Sequence, residues 1–133
     1  MIEPRPTWLT VCMTRDDVHP GDPAEPNVFR VGSSTSDAEI LRRAADPRWL
    51  PHISRSVVAW SITASEILAV VEHDCEAGTA TLMVMPWLET RVRPADRAGG
   101  EMQLHFSCHS GQDARSVFAI LKQVRLRERF GPL

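Results

Sequence analysis

The feature that most constrains the fold of this chain is a series of four strand-like segments in its second half. They cover residues 56–63, 67–73, 79–85 and 101–109. The last alternates most regularly, because Met102, Leu104 and Phe106 point to one face and polar residues to the other. This pattern is typical of an antiparallel strand with one face in solvent. The spacing of βαβ units that a doubly wound parallel sheet needs is absent.

Two further strands and two helices complete the prediction. The additional strands cover residues 7–14 and 27–31. A capping box of Ser36 and Glu39 starts the first helix, and Asp46-Pro47 ends it. The second helix covers residues 112–129, with a cap signal at Ser110 and Asp113.

The predicted order is therefore β-β-α-β-β-β-β-α. We expect one α+β domain over residues 1–133, a two-layer sandwich whose mostly antiparallel sheet is covered on one face by both helices. In that arrangement the apolar faces of the last strand and the last helix share one core. Its members are Leu104, Phe106, Val117, Phe118 and Leu121.

Composition excludes several classes of protein. The chain is 43% hydrophobic, which is too apolar for a disordered protein. It has no uncharged apolar run of about 18 residues, so no membrane span is expected. A net charge of -2 and a pI near 6.2 argue against bulk nucleic-acid binding. The N-terminus carries no secretory signal, which predicts a cytoplasmic protein.

The cysteines also predict a cytoplasmic protein, and the basic residues indicate its source. Three widely spaced cysteines, Cys12, Cys75 and Cys108, predict reduced thiols without a disulfide framework. Every basic residue except Lys122 is Arg, which suggests a GC-rich bacterial genome.

A charged loop after the first strand is one candidate site. It contains Asp16, Asp17, His19 and Asp22. Carboxylates and an imidazole at a strand end could hold a divalent metal or act as an acid/base pair. The same residues are also typical of Asx turns that begin a Pro-Gly turn. Their spacing does not match the calcium-binding loop motif.

A second candidate is a run of acids with no Lys or Arg in the segment. It consists of Glu66, Glu72, Asp74 and Glu76. A negative patch of this kind could meet a basic partner. The alternative is a solvated hairpin tip.

Two weaker patterns remain open. His105, Ser107 and His109 lie on one strand face, where they could bind a transition metal or simply face water. The basic face of the last helix is typical of a solvated surface. The chain has no nucleophile-elbow, P-loop or dinucleotide-binding motif, and we expect no cofactor and no resident metal.

The motif TRDDVHPGD at residues 14–22, with WLP at 49–51 and VAW at 58–60, resembles sequences of small uncharacterised bacterial proteins. A small α+β domain without catalytic motifs also looks like the immunity proteins of bacterial toxin systems, such as contact-dependent growth inhibition. This resemblance implies tight one-to-one binding of a cognate toxin domain. It assigns a role to no individual residue.

The resulting hypothesis is a non-enzymatic protein-binding module, an immunity protein that neutralises a toxin domain. Its expected partner is that toxin domain, with no nucleic acid and no membrane, and the chain acts as a monomer or weak homodimer. The expected partner contacts are Glu66, Glu72, Asp74, Glu76, Asp16, Asp17 and Asp22. The alternative is a small enzyme or a ligand- or metal-binding domain that uses Asp16, Asp17 and His19. A third possibility is a structural subunit that pairs with itself through a sheet edge.

Overall fold

The computed structural model describes residues 8–16, 26–51, 53, 56–89 and 99–130. These ranges contain six strands and two α-helices, in the predicted order. They are β1 (Trp8–Arg15), β2 (Asn27–Gly32), α1 (Asp37–Ala44), β3 (Val57–Thr63), β4 (Ile67–Asp74), β5 (Thr79–Val84), β6 (Glu101–His109) and α2 (Ala114–Phe130). A short 3-10 turn, Pro86–Glu89, follows β5. The α+β class is confirmed.

All six strands form one mixed sheet, in the order β2-β1-β6-β3-β4-β5. Antiparallel pairing joins β1 to β2, β3 to β4, β3 to β6 and β4 to β5. The pair β1 and β6 is parallel, with Thr14 opposite His105. Parallel neighbours need a long connection. Here every other element of the sheet lies between the two strands in sequence.

The larger core lies on one face of the sheet. It includes the fully buried side chains of Trp60, Phe106 and Leu104. α1 packs into it through Ile40 and Leu41.

A second core, which we call the α2 core, lies on the opposite face. Ala114 and Val117 of α2 pack there against Ala59 and Val70 of the central strands. Phe118 and Leu121 cover its margin and are half-buried. Successive residues of a strand point to opposite faces, so Trp60 packs into the larger core and Ala59 into the α2 core. The central strands therefore present apolar side chains on both faces of the sheet.

The two helices therefore cover opposite faces, not one. The predicted single core is wrong, because Leu104 and Phe106 belong to the larger core while Val117, Phe118 and Leu121 belong to the α2 core. The physical reason is the turn between β6 and α2. Gly111 adopts a positive φ of 76° there, and the chain then continues on the polar face of β6.

Both helices are capped at their N-termini, as their sequences suggest, but the second begins later than predicted. The hydroxyl of Ser36 accepts the N–H of Glu39 at 3.2 Å. In α2, Asp113 performs this function, because its Oδ2 accepts the N–H of Ser116 at 3.1 Å. The second helix thus begins two residues later than predicted.

The cysteine prediction holds, since all three thiols are free and Cys75 is buried. Among the described helices, none is long and apolar enough to cross a membrane.

Candidate functional site

The polar faces of β1 and β6 meet beside α2 and form the most organised group of polar side chains in the described structure. Alternation along β1 places Thr14 and Asp16 on this face, and alternation along β6 adds His105 and His109. The parallel register sets Thr14 directly opposite His105. We call Thr14, Asp16 and His105 the β1–β6 polar cluster.

A hydrogen-bonded chain links the three members of this cluster. His105 Nε2 lies 2.9 Å from Asp16 Oδ1, and His105 Nδ1 lies 2.7 Å from Thr14 Oγ1. A carboxylate can only accept, so the Nε2–H of His105 donates to Asp16. In the tautomer that carries its proton on Nε2, Nδ1 accepts the hydroxyl hydrogen of Thr14. This order of groups, carboxylate, imidazole and hydroxyl, is the one that activates an oxygen nucleophile.

Asp16 is held as an anion by its neighbours. Burial alone would raise the pKa of its carboxyl group. The backbone N–H of Cys108, which donates to Oδ2 at 2.9 Å, and the His105 side chain more than offset this, so the pKa lies below its usual value. About half of both side chains faces solvent, with 45% of Asp16 and 46% of His105 exposed. The cluster is therefore open to a partner or a substrate.

Cys108 does not belong to the reactive part of this face. Its side chain packs against the larger core, on the side of β6 away from the histidines. Burial, followed by the negative charge of Asp16, raises the pKa of the Cys108 thiol. A thiol with a raised pKa stays protonated at neutral pH and is a poor nucleophile.

A second imidazole–hydroxyl pair lies nearby. His109 Nε2 is 2.8 Å from the hydroxyl of Ser61, which is buried on β3. The field of His109 also lowers the pKa of Asp16, which places the two side chains in one electrostatic group. Within the described ranges, no group of three or more His, Cys, Asp or Glu has the arrangement that could hold a metal ion.

The predicted acidic run is divided between the two ends of β4. Glu66 lies in the β3–β4 turn, where it forms an ion pair with Arg125 of α2. Only 17% of the Glu66 side chain is exposed. Its charge is therefore neutralised within the fold.

The other three acids lie together at the far end of the strand. Glu72 and Asp74 project from the same face of β4, and Glu76 lies in the β4–β5 turn. The Asp74 side chain shapes this turn by accepting the N–H of Ala77 at 3.0 Å. No Lys or Arg of the described residues forms an ion pair with any of the three. We call Glu72, Asp74 and Glu76 the acidic end.

Three residues of the predicted loop site, Asp17, His19 and Asp22, lie outside the described residues. Of that loop, the structure places Asp16 alone, and it pairs Asp16 with His105 of β6. Asp16 and His105 belong to separate sequence motifs, and no pattern in the sequence connects them. Thr14 and Ser61 were not predicted as site residues. No local signal marks them, because Thr14 lies in β1 and Ser61 in β3, whereas both histidines lie in β6.

Comparison of the chain with protein-family models, with curated proteins and with solved structures gives no match.

Proposed function

We propose that this chain is a non-enzymatic protein-binding domain that neutralises a cognate bacterial toxin domain by tight one-to-one binding. The supporting observation is the acidic end, where Glu72, Asp74 and Glu76 concentrate negative charge beside the edge strand β5. A partner with a basic surface fits this chemistry, and toxin domains that act on nucleic acids commonly carry one. We expect the chain to act in the cytoplasm, as a monomer or weak homodimer.

The composition of the acidic end favours a steering role in binding. Unpaired surface acids contribute little to folding stability, but they produce a field that accelerates the encounter with a basic partner. Glu66 contributes little to that field because Arg125 already neutralises it. The same holds for the half-exposed Asp16, whose carboxylate is committed to His105 and Cys108.

The test begins with a tagged chain as bait in lysate of the source cell. Any captured protein is identified by mass spectrometry, purified, and used for association kinetics with the wild type and with Glu72→Gln/Asp74→Asn. We expect the double variant to slow association about tenfold at low salt and to flatten its salt dependence.

The matched control is Glu101→Gln/Glu128→Gln, which removes the same charge from two exposed acids away from the acidic end. It should leave the association rate within about twofold. Equal effects of the two double variants, or none from either, contradict the acidic end as the contact surface. A captured partner that has no toxic activity in the absence of the chain contradicts the immunity role.

A second candidate function is a small enzyme that uses the β1–β6 polar cluster. The observation that favours it is the hydrogen-bonded chain from Asp16 through His105 to Thr14. In an acyl transfer, Thr14 Oγ1 attacks the carbonyl carbon and its proton passes to His105 Nδ1. The bond between the carbonyl carbon and the leaving group then breaks, and the imidazolium gives the proton to that group. Asp16 stabilises the imidazolium that forms.

This candidate is tested with p-nitrophenyl acetate as a generic acyl donor. An active cluster gives a burst of p-nitrophenolate and an acetyl group on the peptide that contains Thr14. Thr14→Val and His105→Gln should abolish both signals. Ser34→Ala, which removes an exposed hydroxyl in the turn after β2, should not change them. Acetylation that is absent, or that is equal in wild type and Thr14→Val, excludes nucleophilic chemistry at this cluster.

A further inference from the structure

An arginine-rich site lies beside α1, at the edge strand β2. It is a groove of about 470 Å³ between the edge strand β2, the end of α1 and the turn that follows α1. Its arginines are Arg30, Arg42, Arg43 and Arg48. This volume is within the range of roughly 300–1,000 Å³ that small-molecule sites occupy. We call it the arginine groove.

The groove has an excess of positive charge. Glu39 is shared by Arg42 at 3.1 Å and Arg43 at 3.5 Å. Asp46 pairs with Arg48 at 3.2 Å. Three guanidinium groups therefore share two carboxylates, and Arg30 of the adjacent edge strand, which has no acidic partner among the described residues, adds a further positive charge.

The backbone around the groove is firmly held. Asp46 Oδ1 accepts the N–H of Arg48 at 2.9 Å, and the carbonyl of Asp46 accepts the N–H of Trp49 at 3.1 Å. Burial would raise the pKa of Asp46, but hydrogen bonds from the Arg48 backbone and guanidinium keep it below its usual value. Buried Ala45 and Leu50 fix the turn on both sides. The wall is therefore formed before any ligand arrives.

The guanidinium groups of Arg42, Arg43 and Arg48, in contrast, lie largely in solvent, although each is in an ion pair. The exposed fractions of the side chains are 63% for Arg42, 55% for Arg43 and 90% for Arg48. Exposed ion pairs of this kind contribute at most about 1 kcal/mol. A more highly charged ligand can therefore displace Glu39 with little penalty.

Apolar side chains complete the groove. Phe29, Ala45 and Pro47 line it beside the arginines. They offer a surface to a ring or a sugar, while planar guanidinium groups match the oxygens of phosphate groups. We propose that the arginine groove binds a small phosphate ester with two adjacent phosphate groups, of the nucleoside diphosphate class.

This activity goes beyond the proposed protein binding and uses the β2 edge of the sheet, whereas the acidic end lies at the β5 edge. The two proposals can therefore fail independently.

The experiment measures binding of ADP to the full chain by isothermal titration calorimetry and by ¹H–¹⁵N NMR. We expect saturable binding, with a Kd between about 10 μM and about 1 mM. The amide signals that shift should belong to residues 27–30 and 42–48. Inorganic pyrophosphate should bind more weakly than ADP, and adenosine should not bind detectably.

The key variant is Arg43→Gln/Arg48→Gln, which keeps Arg42 on Glu39. It should weaken ADP binding at least about tenfold. The control Arg115→Gln/Arg127→Gln removes the same charge from the exposed face of α2 and should stay within about twofold. Circular dichroism melts of both variants check the fold.

Three results overturn the proposal. One is the absence of saturable shifts with ADP up to about 5 mM. Another is an equal loss of affinity in the control variant. The third is binding of a twenty-nucleotide single strand without any response to ADP, which assigns the groove to a nucleic-acid polymer.

Discussion

Two phenylalanines test whether the sheet carries two independent cores. Phe106 of β6 is fully buried in the larger core and contacts Trp49 edge to face, with ring centroids 5.0 Å apart. Phe118 of α2 is half-buried at the margin of the α2 core. We expect Phe106→Leu and Phe118→Leu to destabilise the protein separately.

The magnitudes follow from burial. Phe106→Leu removes several buried ring atoms and leaves part of the cavity unfilled, which costs about 1–2 kcal/mol. Loss of the ring pair with Trp49 adds about 1 kcal/mol. Phe118→Leu removes contacts on one side of a half-exposed ring, so we expect about 1 kcal/mol or less. Since the sheet separates the two side chains, the effects should add within about 0.5 kcal/mol.

Urea denaturation followed by circular dichroism measures the free energy of unfolding of the wild type, both single variants and the double variant. Equal m-values across the four proteins confirm that they unfold in the same way. A coupling energy above about 1 kcal/mol, or a larger effect for Phe118 than for Phe106, would refute the two-core arrangement.

Three further predictions concern individual contacts. Asp16→Asn should destabilise the protein by about 1 kcal/mol at neutral pH. Because the folded pKa of Asp16 is lowered, its contribution is fully present above the unfolded value near 3.8 and disappears as the pH falls through the folded value. The two stability curves should therefore converge as the pH falls well below the unfolded value, and a constant offset contradicts this. Ser36→Ala should cost about 1 kcal/mol by uncapping α1, whereas Ser34→Ala should be neutral in the same melts. The denaturation midpoint should not change with reductant, because the three cysteines are free; a drop on reduction would reveal a disulfide.

The elements of this fold could be predicted because their signals are local. The alternation of residues 101–109 gives β6 with both bounds correct, and Ser36 with Glu39 gives the start of α1. Which face a helix covers is not a local property. The stripe of α2 shows that Val117 and Phe118 are buried, but nothing in it distinguishes the side of Phe106 from the side of Ser107. The turn at Gly111 decides this, and its direction depends on the whole sheet.

The parallel pair could not be predicted for a related reason. β1 and β6 are separated by all the other strands in sequence, and no turn chemistry specifies their register. The β1–β6 polar cluster depends entirely on that register, because Thr14 and Asp16 come from one strand and His105 from the other. The arginine groove also depends on how separate elements are placed, because β2 and α1 both line it. Arg42 and Arg43 are typical of a solvated helix face until β2 is placed beside them.

Residues that are close in sequence can also be far apart in space when a strand lies between them. Glu66 and Glu76 are close in sequence and were assigned to one patch, yet an extended strand of eight residues lies between their turns. At about 3.3 Å per residue, that strand separates them by about 25 Å, more than two Debye lengths at physiological salt. Thr14 and His105, in contrast, are 91 residues apart and share a hydrogen bond. Charge counted along a sequence therefore predicts a surface patch only where the residues stay at one end of a strand, as Glu72, Asp74 and Glu76 do at the end of β4.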